Sequence, residues 1–288
     1  MANLKDIRHR IGSVTSIQQV TKAMKMVAAA KLRRAQTNMQ QARPYAGRLR
    51  DVLFTLLPQI DRQLLPLLEV RDEIKRTLLV VVTSDRGMAA GFNSNILKTA
   101  QARVDDLGKE NTDFICIGRK GRDYFKKRGY NLIAEYTEFW NNLDFDQATE
   151  IGRQMISPYV DGRVDEVLVI FNQFFNVIRQ DITEDQLLPL VIEEGTQIDT
   201  SEVLFEPSSA AVVESLVPRH LNVQVWRYLL ESYASEQAAR MTAMENATTN
   251  ANEVIDALQL EYNKARQAAI TKEILDIVGG AEALAAAG

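Results

Sequence analysis

The sequence has 288 residues, of which 46% are apolar and 25% are charged, and its formal net charge is −4. This composition is typical of a folded protein with one large or two modest domains, and no run of eighteen apolar residues predicts a membrane span. The single cysteine, Cys116, excludes an internal disulfide, and His9 and His220, the only histidines, have no neighbours at metal-ligand spacing.

The first 50 residues are strongly basic. They contain eleven Lys and Arg against one acid, Asp6, so this segment carries +10 and the rest of the chain carries −14. A nucleic-acid arm, a surface for an acidic protein partner and a solvated helix face would each account for this asymmetry. Tyr45 is the only aromatic residue here, so the segment lacks the stacking platforms of single-strand binders.

The same segment is predicted to be a long helix, because it is rich in Ala, Lys, Met and Gln. Its apolar residues recur at 3-4 spacing in two runs separated by a phase slip, Leu4, Ile7, Ile11 and Val14, then Ile17, Val20, Met24 and Val27. We expect the helix to bend locally at Pro44 and to end before Pro58.

The middle of the chain alternates between predicted strands and helices. Strands are predicted at 76–83, 114–117, 132–136 and 166–171, and helices around Ile96 to Leu107, at 119–128 and at 146–160. Two edge strands are predicted at 177–183 and 187–192. Such alternation predicts a mostly parallel, Rossmann-like α/β domain at 77–205, preceded by a connector at 58–76.

The turn at 84–91 follows the first strand, where a nucleotide site would begin. It lacks the three glycines of a dinucleotide fingerprint and the Gly-Lys-Ser/Thr of a P-loop, so Gly87 and Gly91 are interpreted as turn and packing residues. Asp144 and Asp146 are interpreted as loop and helix-cap residues. We therefore predict no catalytic residue, no metal and no cofactor.

Residues 219–278 contain neither Gly nor Pro, and one helix of this length would span roughly 90 Å. Its 3-4 seam comprises Met241, Met244, Thr248, Ala251, Ile255, Leu258, Tyr262, Ala265 and Ala269. This pattern predicts an antiparallel coiled coil with the N-terminal helix, whereas a core helix of an ordinary α-domain is the alternative. The longer helix should overhang its partner by about 20 residues, where the seam slips by one position at Ile270.

The end of the chain carries a specific likeness. The segment ITKEILDIVGGAEA, residues 270–283, strongly resembles the signature of the gamma subunit of F-type ATP synthases. Residues 17–31, 83–91, 235–241 and 262–267 resemble further motifs of that family, in the same order. There is no second cysteine for the regulatory disulfide of the chloroplast type, and without a transit peptide a bacterial source is expected.

The resemblance implies a non-catalytic rotor shaft that couples ion flow to ATP synthesis or hydrolysis. In that family the terminal helices stand inside a ring of three alpha and three beta subunits, and the α/β domain forms the foot beside the epsilon subunit and the ring of c subunits. The protein would then be peripheral on the cytoplasmic face of the bacterial inner membrane. The alternatives are a coiled-coil adaptor or tethering protein and a nucleotide-dependent enzyme.

The resemblance also implies partner contacts and domain limits. Contacts with the alpha/beta ring are implied for Met24, Lys25, Arg240, Arg266, Gln267, Thr271 and Glu273. Contacts with the c ring or epsilon are implied for Phe205 and Glu206. The expected domains are an N-terminal helix at 1–57, the connector at 58–76, the foot at 77–205 and a C-terminal helix at 206–288. Lys22, Lys25, Lys31, Arg33 and Arg34 are expected to face acidic partner surface in part.

Overall fold

The computed structural model describes residues 4–57, 66–71, 73–190, 206 and 208–286. Two long helices, α1 (Leu4–Leu56) and α5 (Ser209–Ala286), enclose the remaining elements in the chain order. These elements are β1 (Thr77–Val82), α2 (Phe92–Leu107), β2 (Thr112–Ile117), α3 (Arg119–Lys127), β3 (Asn131–Tyr136), α4 (Phe145–Val160), β4 (Glu166–Phe174) and β5 (Gln180–Leu188). Within the described ranges, no helix is long and apolar enough to cross a membrane.

The chain divides into two compact units. One, here called the helical unit, combines Met1–Val27 with Met241–Gly288, and the other, the sheet unit, is Ala28–Arg240. Both terminal helices contribute to both units. Each unit is described by itself below.

The described residues of the sheet unit form five strands in the order β3-β2-β1-β4-β5. The first four strands are parallel, and β5 pairs antiparallel with β4. All six residues of β1 and of β2 are buried, because helices cover the sheet on both faces. This arrangement confirms the predicted mostly parallel α/β fold.

Alternate residues of β1 belong to two separate cores. Leu78, Val80 and Val82 pack in a core shared with the end of α1, α4 and α5. Leu79 and Val81 pack on the opposite face against α2 and α3. Burying each such side chain contributes about 1.5–3 kcal/mol, which explains why this strand is an unbroken apolar run in the sequence.

Most predicted elements are confirmed within a few residues of their ends. Asp144 caps α4 as predicted, since its side chain accepts a hydrogen bond from the Gln147 backbone N–H in a capping box. The prediction of two edge strands is wrong, because the described residues contain one strand there, β5. That strand is continuous because it follows β4 through a hairpin turned by Asn176, whose Oδ1 accepts from the N–H groups of Ile178 and Arg179.

The helical unit is an antiparallel pair, as the seam in α5 predicts. Hydrogen bonds link Arg8 to the Tyr262 hydroxyl at 2.6 Å, and Thr21 to Thr248 at 2.8 Å. Met244, Ala251 and Leu258 of the predicted α5 seam are buried. Terminal-helix pairing is therefore confirmed.

The predicted phase slip in α1 is wrong. The seam continues from Val14 without a slip through Gln18, Thr21, Lys25 and Ala28, while Ile17, Val20 and Val27 are exposed on the outside of the pair. Polar partners explain the error. Gln18 Nε2 donates to Asn252 Oδ1 at 2.5 Å, and Lys25 Nζ lies 2.7 Å from Glu245 Oε1, so hydrophobicity alone could not identify the seam.

His220 makes the sheet unit sensitive to acid. It is only 3% exposed, meets the edge of Phe54 and lies against the Gln224 amide. Burial, with the positive charges of Arg227 and Arg50, lowers the pKa of His220 from 6.5 to about 4. The unfolded chain therefore binds a proton more readily than the folded one between these values, and stability falls as the pH drops through that window.

We expect acidification from pH 7.5 to pH 5 to cost about 2 kcal/mol through His220 alone. Urea unfolding of the wild type and of His220→Asn at both pH values measures this, since subtracting the variant cancels other titrating groups. His9→Asn is the matched control for removal of a histidine, because His9 is the exposed one. An equal loss in wild type and His220→Asn would contradict the assignment.

Candidate partner-binding surfaces

The crevice where a Rossmann-like sheet would hold a nucleotide is closed by the chain's own helix. The strand order reverses between β1 and β4, and ligands of open α/β folds bind outside the carboxyl ends of such strands. Here the Asn172 N–H donates to Ser232 Oγ at 3.3 Å, and Ser235 Oγ donates to the Asn172 carbonyl at 3.2 Å. Side chains of α5 thus occupy this end of the sheet.

The turn at 84–91 is held by a polar network and not by its glycines. The left-handed residues are Met88 (φ 64°) and Ala90 (φ 46°), whereas Gly91 has φ −81°. Neither glycine has a positive φ, so the interpretation of Gly87 and Gly91 as turn-forming residues is wrong. Close packing holds for Gly91, because a Cβ there would lie 2.9 Å from Asn95 Nδ2. Hydrogen bonds that overdetermine the loop explain how non-glycine residues stay there, since Arg240 Nη1 donates to the Gly87 carbonyl at 2.6 Å.

Arg240 serves this turn from within the fold. Only 8% of the residue is exposed, and its guanidinium also donates to Glu236, which accepts from the Gln237 amide at 2.9 Å. The resemblance implied a direct partner contact for Arg240. The structure instead gives it a buried position from which it fixes the backbone of the exposed Met88 turn.

Metal ligation and a reactive cysteine are two common means of catalysis. The described part of the chain contains no group of three or more His, Cys, Asp or Glu side chains that could hold a metal ion. Burial, and secondarily Glu135, raises the pKa of the Cys116 thiol to about 12, so this thiol is inert at neutral pH.

The first surface is an apolar stripe on the outside of α1, formed by Ile17, Val20, Met24 and Val27 and here called the outer stripe. Ile17, Val20 and Val27 are each more than half exposed, whereas Met24 is half-buried beside the seam. An ordered row of exposed apolar side chains indicates a protein-binding site. The sequence reasoning missed this surface, because the pairs Gln18–Asn252, Thr21–Thr248 and Lys25–Glu245 that fix the register are visible only in the folded chain.

Lys25 lies next to the outer stripe. Its ion pair with Glu245 is at the surface, with side chains 38% and 54% exposed, so it contributes at most about 1 kcal/mol and can open readily. Of the other basic residues, Lys31 donates to Asn141 Oδ1 at 2.8 Å in the sheet unit. Lys22, Arg33 and Arg34 are exposed.

The second surface is the end of α5. Because Arg8 lies opposite Tyr262, the start of α1 falls near residue 266. About twenty further residues of α5, roughly 30 Å, have no partner helix among the described residues. Arg266, Gln267, Thr271 and Glu273 are exposed there. Of these, Thr271 donates its hydroxyl hydrogen bond to the Gln267 carbonyl at 2.9 Å.

The end of α5 is also apolar to an unusual degree. Ile274, Leu275 and Ile277 are all more than half exposed. Both apolar and polar side chains are therefore exposed around this part of the helix. Exposed apolar side chains of this kind indicate a protein-binding segment. Elsewhere, Glu206 is exposed, while Phe205 lies outside the described residues.

Comparison with known proteins identifies relatives over nearly the whole chain. The sequence profile of a family described as ATP synthase matches residues 3–284. The ATP synthase gamma chain of Chlorobaculum parvum is 51% identical over 290 residues, 99% of each chain. That of Prosthecochloris aestuarii is 52% identical over 289 residues, with the same coverage.

Solved structures of ATP synthases also contain chains that resemble this one. A chain in the central stalk and c-ring of the Tetrahymena thermophila mitochondrial ATP synthase matches with a TM-score of 0.62 and 26% identity, over 79% of this chain and 99% of that chain. A chain of the Euglena gracilis mitochondrial ATP synthase in rotational state 3 gives a TM-score of 0.70 over 98% of this chain and 94% of that one. Its identity is 20%, so this second likeness is one of fold.

Proposed function

The chain belongs to the ATP synthase gamma chain family, and from that premise we propose that it is the central rotor shaft of an F-type ATP synthase. It couples ion flow through a ring of c subunits to ATP synthesis or hydrolysis in a ring of alpha and beta subunits. It is itself non-catalytic. It works as a peripheral component, on the cytoplasmic face of a bacterial inner membrane.

The observation that best supports this function is the helical unit, an antiparallel pair whose longer helix continues alone past its partner. Such a pair has no threefold symmetry. Within a ring of three equivalent catalytic sites it must make different contacts with each site, and each step of rotation then changes which site is tight or open.

The energies are of the right size for this mechanism. One proton that crosses about 100 mV supplies about 2.3 kcal/mol, whereas each tenfold change in nucleotide affinity takes about 1.4 kcal/mol. Several protons must therefore be added together to change one site by many decades. A stiff shaft stores and delivers that sum, which is a role for packed helices and not for a catalytic group.

We assign the partner contacts as follows. The outer stripe, with Met24 and Lys25, contacts the alpha/beta ring, and Arg266, Gln267, Thr271 and Glu273 contact it at the end of α5. Arg240 acts on the ring indirectly, by positioning the turn that carries Met88. Exposed Lys22, Arg33 and Arg34 face acidic partner surface.

The proposed foot comprises residues 77–205, with the connector at 58–76, between an N-terminal helix at 1–57 and a C-terminal helix at 206–288. Phe205 and Glu206 lie where the foot passes into the C-terminal helix. We assign these two residues to the contact with the c ring and the epsilon subunit.

Reconstitution with alpha and beta subunits tests the rotor and the outer stripe together. Ile17→Ser with Val20→Ser should weaken assembly with the ring by 10- to 100-fold, because two apolar contacts of about 1 kcal/mol or more are lost. Assembly is measured by titrating the shaft into the alpha/beta subunits and recording ATP hydrolysis.

The control pair is Val254→Ser with Leu260→Ser, which removes two exposed apolar side chains of the same unit that do not form a stripe. These changes should have less than a threefold effect. Equal losses in both pairs would remove the outer stripe from the assignment. Self-association of the wild type without any binding to alpha and beta subunits would favour the adaptor function instead.

A further inference from the structure

Residues 119–128, which form α3 and the residue after it, carry an unusual concentration of positive charge. They contain six Lys and Arg against one acid, Asp123, which is +5. Residues 51–288 carry −14 in all, so the rest of that part of the chain carries −19. α3 is therefore a basic segment within an otherwise acidic part of the protein.

The stability of α3 does not explain where its charges lie. A helix is stabilised by acidic side chains in its first turn and by basic ones in its last turn. Lys126 and Lys127 in the last turn follow this rule, but the first turn has Arg119, Lys120 and no acid. Cations at that end weaken the helix, so a role in binding accounts for them better than the fold does.

Several cations of this region have no carboxylate to pair with. Three are paired in the described part of the chain, as Arg119–Glu138, Arg122–Asp123 and Lys126–Glu135. Four exposed cations of α3 and of the turn before β2 have no such partner among the described residues and are here called the basic face: Lys109, Lys120, Lys127 and Arg128. Lys120 and Lys127 lie on the same side of α3, because seven residues make nearly two turns.

Aromatic rings restrict the other two cations of the basic face. The Arg128 guanidinium lies 3.5 Å from the centre of the Tyr124 ring, and its Nη1 donates to the Tyr124 carbonyl at 3.1 Å. Lys109 Nζ lies 4.8 Å from the centre of the Tyr130 ring and donates to the Arg128 carbonyl at 2.9 Å. Cations that are already held in place lose less side-chain entropy when they bind an anion.

The surroundings of the basic face indicate what kind of partner fits it. In residues 89–144, all of them described, no large apolar side chain is exposed, whereas protein interfaces have an apolar centre. Single-stranded nucleic acid needs open ring faces, but a cation lies over Tyr124 and another over Tyr130, and both rings meet Phe125 edge-on. The basic face therefore suits a partner that offers only negative charge over a broad surface.

We propose that the basic face binds the headgroup layer of an anionic phospholipid bilayer. The negative surface potential of such a layer attracts each exposed Lys or Arg, and this attraction falls off within a Debye length. The contact is therefore shallow and places no side chain among the acyl chains. It uses other residues than the outer stripe and the end of α5, and it does not depend on whether the chain contacts alpha, beta or c subunits.

Sedimentation of the full chain with vesicles tests the proposal, using phosphatidylcholine alone or with about 30% phosphatidylglycerol. We expect binding only to the vesicles that contain phosphatidylglycerol. Raising NaCl from about 0.1 M to 1 M should weaken it at least tenfold, because the Debye length falls from about 10 Å to about 3 Å. Equal binding to both kinds of vesicle, or binding that salt does not change, would overturn the proposal.

Charge removal assigns the binding to α3. Lys120→Gln with Lys127→Gln and Arg128→Gln should weaken binding to the anionic vesicles by about 30-fold or more. The matched control, Lys22→Gln with Arg33→Gln and Arg34→Gln, removes the same number of exposed cations from α1 and should have less than a threefold effect. Equal losses in the two triple variants would show that net charge, and not the basic face, determines binding.

A polyglutamate peptide distinguishes an acidic protein partner from a bilayer. The full chain should bind the anionic vesicles, and phosphatidylcholine vesicles with polyglutamate added should still recover none of it. Saturable binding of the peptide that the α3 triple variant loses, together with no binding to the anionic vesicles, would assign the basic face to an acidic protein and refute the bilayer contact.

A fluorescent label locates the contact without removing any cation. Cys116 is buried, so Asp123→Cys, exposed between Lys120 and Lys127, can be labelled selectively. Nitroxide groups on the lipid headgroups should quench this label in anionic vesicles. A label on Thr149→Cys should stay unquenched, because Thr149 is exposed on α4, which covers the opposite face of the sheet. Equal quenching at the two positions, or quenching at Thr149 alone, would contradict the proposed contact.

Discussion

Replacing Gly118 with alanine is expected to lower the free energy of unfolding of the sheet unit by about 4 kcal/mol or more. Gly118 joins β2 to α3 with φ +97°, a conformation that side chains rarely adopt, and a Cβ there would lie 2.2 Å from the Thr83 carbonyl oxygen. Backbone strain of about 1–3 kcal/mol therefore adds to a clash with backbone that cannot rotate away.

The clash cannot relax, because hydrogen bonds hold both Gly118 and Thr83 in place. The Gly118 N–H donates to the Tyr136 carbonyl, and the Thr83 N–H donates to the Ile117 carbonyl, both at 2.7 Å. The Thr83 hydroxyl accepts from the Gly121 N–H at 2.9 Å. Moving Thr83 to admit a methyl group would disturb β1, β2 and the start of α3 together.

Gly162→Ala separates strain from clash. Gly162 has φ +70° but open space where its Cβ would lie, so its replacement should cost only about 1 kcal/mol. Urea unfolding followed by the fluorescence of Trp140 and Trp226, both in the sheet unit, measures the two losses. Similar losses at Gly118 and Gly162 would show that the corner at Thr83 is softer than its hydrogen bonds indicate.

The sequence was sufficient where apolar residues alone determine the outcome. The run of β1 predicted a strand covered on both faces, and the α5 seam from Met244 to Leu258 predicted the buried side of the helical unit. Every residue of β1 is buried, and in the seam Met244, Ala251 and Leu258 are buried while Thr248 and Ile255 are half-buried. Hydrophobic periodicity then gives position and orientation directly.

It failed where polar side chains take the inside positions. In α1 the seam passes through Gln18, Thr21 and Lys25, so the exposed Ile17 and Val20 were assigned to the inside. Those residues pair with α5 residues more than 200 positions away, which no local pattern can show. The same error concealed the outer stripe as a candidate site.

Arg240 illustrates a second limit of prediction from sequence. A charged residue on a helix is ordinarily exposed. Here the Gly87 carbonyl and Glu236 accept the hydrogen bonds of the Arg240 guanidinium inside the fold. The sequence shows Glu236 four residues before Arg240, but its other partner is a backbone oxygen, which carries no sequence signal. Only the folded arrangement of α5 against the end of β1 can show that Arg240 supports the turn at 84–91.

Replacing Arg266, Gln267 and Glu273 with alanine is expected to reduce coupled ATP synthesis by about 30-fold or more, while deletion of residues 279–288 should reduce it by less than threefold. The three polar side chains stand on the unpaired part of α5, and neither Arg266 nor Glu273 has a hydrogen bond or ion pair within the described residues. Their groups are therefore free for loops of the alpha/beta ring, where two charge-assisted hydrogen bonds contribute about 1.5–3 kcal/mol each.

Deletion of residues 279–288 removes fewer interactions than the triple alanine variant. Gly279 and Gly280 have nothing within 4 Å of where a Cβ would lie, and each glycine weakens a helix by about 1 kcal/mol relative to alanine.

Synthesis and hydrolysis rates in reconstituted vesicles measure coupling, and gel filtration of the assembled complex controls for loss of assembly. Thr249→Ala with Asn250→Ala, exposed on the paired part of α5, is the matched control for removing polar groups and should leave coupling unchanged. Equal tolerance of the triple alanine variant and the deletion would remove Arg266, Gln267 and Glu273 from the ring contact, because a free polar group that transmits torque cannot be dispensable.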